Sequence, residues 1–151
     1  MTVPNQTFLL IFASFNLVIF FKALHECKTR RNAFGLTPWL NPIGAFVWGD
    51  AVVFSLFWAL VSLVAWWLND WLLFWLVASV FWAVRSWGEA VYWFNQQFST
   101  IERNPPKKHL FYSVFHNDSV WFVHQIIWQC VLVVAIIASL YFVRLWLVTL
   151  S

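Results

Sequence analysis

Charge is what this chain has least of. Asp, Glu, Lys and Arg make up 10% of its 151 residues, against 62% hydrophobic ones, and mean hydropathy is +0.72. So few charges cannot clothe a soluble domain, and the composition is that of a polytopic membrane protein. Cysteine is nearly missing as well. Cys27 closes the first apolar run, whereas Cys130 lies about ten residues into the last, roughly 15 Å deeper at helical rise. The two therefore read as free structural thiols and not as a disulfide. No basic stretch precedes the first apolar run, and its charges follow it, which marks a retained anchor with its N-terminus outside rather than a cleaved signal peptide. There is no internal repeat, no low-complexity segment, no phosphate-binding loop and no nucleophile elbow; Ser86-Trp87-Gly88 is too unlike the last of these to count.

What is present is four apolar runs, roughly residues 5–27, 46–69, 70–94 and 120–143, each long enough to cross a hydrocarbon core of about 30 Å. The expectation is an all-α integral membrane protein, with residues 1–151 forming a single transmembrane domain. Its four transmembrane helices make a compact bundle, with loops at 28–45 and 95–119. Asn69-Asp70, flanked by Trp66, Trp67 and Trp71, leaves so little chain between the second and third runs that they must form a tight hairpin. Lys22, Lys28, Arg30 and Arg31 follow the first run, and Arg103, Lys107 and Lys108 lie in the last loop. The positive-inside rule makes this face cytoplasmic, puts both termini outside and places the chain in the inner membrane. Arg144 alone dissents, and a long side chain near a helix end snorkels to the interface. Besides the lipid bilayer itself, anionic headgroups are expected partners of Arg30, Arg31, Lys107 and Lys108; nucleic acid is not. Residues 34–44, with Thr37-Pro38, Asn41-Pro42 and Gly44, break helix repeatedly yet stay apolar, which predicts a segment along the interface. Residues 99–118, with Pro105-Pro106 and the aromatic patch Phe111, Tyr112 and Phe115, read as a surface-lying anchor.

Arg85 stands out against this background. It lies inside the third run with Glu89 one turn further on, and an ion pair at membrane depth is costly and seldom idle. Counting from the hairpin midpoint puts Asp50 at the depth of Glu89, so Arg85 is expected between two acids. The same count brings His124 and Gln125 near that level, with Gln129 one turn beyond, and Lys22, His25 and Glu26 reach the same boundary from the first run. Polar side chains thus gather toward the inner face while the outer half stays apolar, which argues against a simple pore, since a conduit needs polar groups along its whole length. Trp71, Trp75, Ala78, Trp82, Arg85, Glu89 and Tyr92 step by four and three and form one stripe. It reads as the seam against neighbouring helices, with Ala78 permitting close approach, or, with Trp58 also deep, as an aromatic groove of Trp58, Trp75 and Trp82 for a lipid, quinone or other flat ligand. Trp48, Trp66, Trp67, Trp71 and Trp93 fit an interfacial belt. His25, Glu26, Glu89, Glu102, His109, His116 and His124 supply ligand types for zinc or iron. None has a helical His-x-x-x-His or Glu-x-x-His spacing, so no metal and no cofactor is assigned.

The lack of soluble domain, conduit and catalytic motif points first to a non-enzymatic membrane component that associates with itself or with another membrane protein, the Arg85 cluster fixing its helix packing. The alternative is a cytoplasm-facing binder or transporter of a lipid, quinone or anion centred on Arg85. A small lipid- or quinone-modifying enzyme comes last, with Glu89 or Asp50 as general acid or base and His124 nearby; no catalytic residue is identified.

Overall fold

The computed structural model describes residues 1–100, 104–109 and 111–150, apart from the side chains of Lys108 and Leu150. Glu102 and Arg103, and the Lys108 side chain, named above as a ligand type and as basic loop groups, lie outside the described residues. Among the described residues five α-helices follow one another: α1 (Val3–Lys28), α2 (Trp48–Trp67), α3 (Trp71–Phe98), α4 (Tyr112–Phe115) and α5 (Ser119–Leu150). The only extended pairing among the described residues is an antiparallel bridge between Leu36 and Val47. All but the short α4 are long and apolar enough to span a membrane, which fits a multi-pass membrane protein. α3 and α5 run on past the apolar runs that define them, because neither Asn95-Gln96-Gln97 nor the stretch after Arg144 contains a Gly or Pro to stop a helix. The chain divides into two compact units, Met1–Val77 and Ala78–Ser151.

In the first unit α1 and α2 pack along their length. The buried positions of α1 are Leu9, Ala13, Asn16, Ile19, Ala23 and Glu26, and those of α2 include Trp48, Ala51, Ser55, Trp58, Ser62 and Ala65. Steps of three and four on both helices make a continuous seam, and the small Ala and Ser side chains let the backbones approach. Gln6 Nε2 donates to Asn69 Oδ1 at 3.0 Å at one end, while Lys22 Nζ lies 5.3 Å from the rings of both Trp39 and Trp48 at the other, so the helices run antiparallel. Polar groups in the seam are folded back onto their own helix. Ser62 Oγ donates to the Trp58 carbonyl at 2.7 Å, Asn16 Nδ2 to that of Phe12 at 2.8 Å, and Ser55 Oγ to that of Ala51. Trp58, 3% exposed, aims its indole N–H at the Ile43 carbonyl at 3.0 Å and packs against Phe12 and Phe74.

The connection before α2 is a 3-10 turn, Pro38–Ile43, closed by Gly44 at φ 80°. It buries Thr37, Leu40 and Ile43 while Phe34, Leu36 and Trp39 stay exposed, so the apolar loop turns one face inward. Its preceding strand of chain then caps α2: the carbonyls of Gly35 and Ala33 accept from the N–H groups of Trp48 (3.1 Å) and Gly49 (2.8 Å), satisfying donors that a helix start leaves free. Between α2 and α3, Asn69 takes φ 53° and Asp70 Oδ1 accepts from the Leu73 N–H at 2.9 Å, a two-residue device that ends one helix and starts the next.

In the second unit the buried positions of α3 are Ser79, Ser86, Ala90, Trp93 and Gln96. This stripe runs one residue further on than the expected one through Ala78, Arg85, Glu89 and Tyr92. Burial selects for small side chains, and Arg85 and Glu89 flank the stripe instead of forming it. Trp93, Val120 and Trp121 form the core, with Tyr92, Phe111, Tyr112 and Trp128 packed around them. The 99–118 connection is therefore not wholly a surface anchor: Phe111 and Tyr112 turn inward, while Val114 and Phe115 keep an exposed apolar face. Along α5, Val133, Val134, Ile136, Ile137 and Leu140 all remain exposed, an apolar surface of the kind acyl chains cover.

Candidate functional site

Trp93 on α3, His124 on α5 and His109 from the connection between those helices form a cluster of three rings. Trp93 stacks on His124 with centroids 4.6 Å apart and planes 20° apart. His109 meets both edge to face, 5.1 Å from Trp93 and 5.0 Å from His124, and Phe111 closes a further side 5.7 Å from His124. Local sequence explains each placement. Pro105-Pro106 starts a 3-10 turn, Pro106–Lys108, and the His109 N–H donates to the Pro106 carbonyl at 3.1 Å, so the imidazole leaves a tightly wound segment. Asn117 Oδ1 caps α5 through the Ser119 N–H at 2.9 Å. That start puts Val120 and His124, four residues apart, on one face of α5. Asn104 ties the parts together. Its side-chain N–H donates to the Tyr92 hydroxyl of α3, and its carbonyl accepts from Trp121 Nε1 of α5 at 2.9 Å and from the His109 ring.

The cluster is distinguished by its nitrogens. Trp93 Nε1, His109 Nε2 and His124 Nε2 are each sealed from solvent and have no hydrogen-bond partner among the described residues. An orphaned buried polar atom costs about 1–3 kcal/mol, and three in adjoining rings is far from how an apolar core is normally filled. The indole nitrogen can only donate. Each imidazole Nε2 can donate or accept according to its tautomer. Burial pushes the His109 pKa below its ordinary 6.5, and the Asn104 backbone bond opposes this in part. A sealed indole donor and two sealed imidazole nitrogens thus stand beside one another. A cleft of about 360 Å³ is lined by Pro105, Pro106, Lys107, Tyr112 and Asn117; none of the three rings lines it, but Tyr112 also packs on the core that holds Trp93.

The other residues singled out in the sequence fall as follows. Arg85 and Glu89 pair at 2.8 Å with side chains 16% and 13% exposed. Gln97 Nε2 donates to Gln125 Oε1 at 2.7 Å and to the Trp93 carbonyl at 3.1 Å, so Gln125 joins α5 to α3, while Gln129 is exposed. Trp82 is half-buried, edge-on to Phe81 at 5.9 Å. The remainder belong to the first unit. Asp50 Oδ2 accepts from the Phe46 N–H at 3.2 Å at the start of α2; Glu26 Oε1 accepts from Arg30 at 2.9 Å; His25 is exposed. Trp58 is a core residue with its N–H used, and exposed Trp75 stands edge-on to Trp71 and Phe74. Of these residues, His124 alone enters the ring cluster, and its companions were not grouped with it by spacing. Trp93 reads as belt, His109 as one loop histidine among several. The available hint was Phe111-Tyr112 beside His109 after a Pro-Pro turn: an exposed loop has no need of those aromatics.

No protein-family model matches the chain, and neither does any curated protein or solved structure. A functional reading therefore rests on the chemistry of the cluster itself.

Proposed function

We propose that this chain is a non-enzymatic component of the inner membrane that binds a small polar ligand among Trp93, His109 and His124, on the cytoplasmic side. The observation that supports this is the trio of sealed, unpartnered nitrogens, since a ligand would supply the hydrogen bonds or coordination that the chain leaves open. Rings as close as 4.6 to 5.1 Å favour an ion or a single small polar group over a quinone or a lipid headgroup. The positive-inside rule puts the connection that carries His109 and Lys107 in the cytoplasm. Lys107 and Arg31, with Arg30 partly neutralised by Glu26, would lean on anionic headgroups there.

Native mass spectrometry of the full chain released from mild detergent tests the reading. Wild type should carry a bound mass that is lost in the triple variant Trp93→Phe, His109→Phe, His124→Phe, with both proteins unfolding cooperatively. A wild-type chain at its bare mass, under conditions that preserve bound lipid, would sink it. The same spectra examine association with a second copy or a foreign subunit, which the exposed apolar residues of α5 favour.

A further inference from the structure

The ring cluster offers the ligand types of one particular chemistry. Resting on the reading of the cluster as a ligand site, we propose that it is a transition-metal site: His109 Nε2 and His124 Nε2 are the protein ligands of a zinc-class divalent ion, and Trp93 Nε1–H donates to an exchangeable water or anion on that ion. Neutral imidazole is a preferred ligand of zinc and its neighbours in the first transition row. His109 also has a hydrogen bond to the Asn104 backbone, of the kind that braces ligating histidines.

The ring spacing allows this. A metal–nitrogen bond of about 2.0–2.1 Å puts a histidine ring centroid roughly 3.2 Å from the metal, so two imidazoles at a tetrahedral angle stand about 5.2 Å apart; His109 and His124 stand 5.0 Å apart. Trp93, stacked 4.6 Å over His124, offers its π face to an imidazole that gains positive character on ligation. An indole N–H cannot bind a cation, but a metal-held water or anion accepts from it, so one occupant satisfies all three nitrogens. Among the described residues no group of three or more His, Cys, Asp or Glu gathers. The protein then supplies two ligands, fewer than the three or four of ordinary zinc sites, and water or an anion would complete the coordination. Hard cations, which want oxygen ligands, are excluded by the same pair.

The test uses the full chain on a tag without histidine, in mild detergent, stripped with chelator and titrated calorimetrically with Zn²⁺, with Co²⁺ absorption as a spectroscopic readout. One Zn²⁺ per chain is expected, with no heat from Mg²⁺ or Ca²⁺. His109→Phe and His124→Phe should each weaken binding at least tenfold, His25→Asn and His116→Asn should leave it unchanged, and Trp93→Phe should keep the stoichiometry but shift the Co²⁺ bands. Should the phenylalanine variants fail to fold, His109→Gln and His124→Gln make the same comparison. Absence of saturable Zn²⁺ binding, or equal binding by the variant lacking both histidines, overturns the proposal. A bound organic mass without zinc uptake overturns the metal while leaving the ligand site; a bare chain without zinc uptake removes both.

Discussion

In the first unit a polar atom inside the packing finds a partner close at hand: Ser62 on the Trp58 carbonyl, Ser55 on that of Ala51, and the Trp58 indole on that of Ile43. In the second unit Trp93 is buried nearly as well as Trp58, yet its indole N–H meets nothing among the described residues, and neither do the Nε2 atoms of the two imidazoles against it. Asn16 Oδ1 in the first unit and Ser86 Oγ in the second are also unpartnered, but each stands alone, and Asn16 still uses its Nδ2. An isolated deficit is a modest cost that packing elsewhere outweighs. Three deficits in touching rings have no such explanation, because a single change such as Trp to Phe would relieve each of them. The difference separates a unit whose buried polar groups are nearly all satisfied from one in which three adjoining ring nitrogens are not.

That contrast can be broken or sharpened by substitution, with thermal unfolding in detergent as the common measurement. Trp58→Ala should have the largest effect, a loss of about 3–5 kcal/mol, because it empties a fully packed site in the first unit. A loss under about 1 kcal/mol would mean that the seam is not what holds this unit together. Glu89→Gln removes the charged acceptor facing a largely buried Arg85 and should cost about 1–3 kcal/mol. Trp93→Phe, measured on chelator-treated protein, should raise stability by about 1 kcal/mol, since it deletes an unsatisfied donor while keeping most of the ring. A loss there would show that the indole N–H has a partner after all. Glu26→Gln should cost less than about 0.5 kcal/mol, because its partner Arg30 is 65% exposed and solvent screens the pair.

The long helices and the Asn69-Asp70 turn were legible in the sequence because both depend on local quantities, the length of an apolar run and the chemistry of two turn residues. The Arg85–Glu89 contact was legible for the same reason, being one helical turn. The buried face of α3 was misplaced by one position, since hydropathy favours Trp82 and Trp75 as interior residues while close packing favours Ser79, Ser86 and Ala90. The ring cluster was legible only in His124, a polar residue within an apolar run. Its three members come from a helix, a turn and another helix, joined through Asn104, and no periodicity relates residues whose proximity depends on how a connection folds back.

α5 is 32 residues long, about 48 Å at helical rise, against a hydrocarbon thickness of about 30 Å. Such a helix must tilt or project. Arg144, exposed toward its far end, fixes one limit, because a guanidinium seeks the headgroups. Counting back the roughly 20 residues that cross the acyl region arrives at His124. On that count His124 falls at the edge of the acyl region, and exposed Cys130 lies almost two turns further in. A membrane-permeant maleimide should label that thiol in intact vesicles, and a charged one should not.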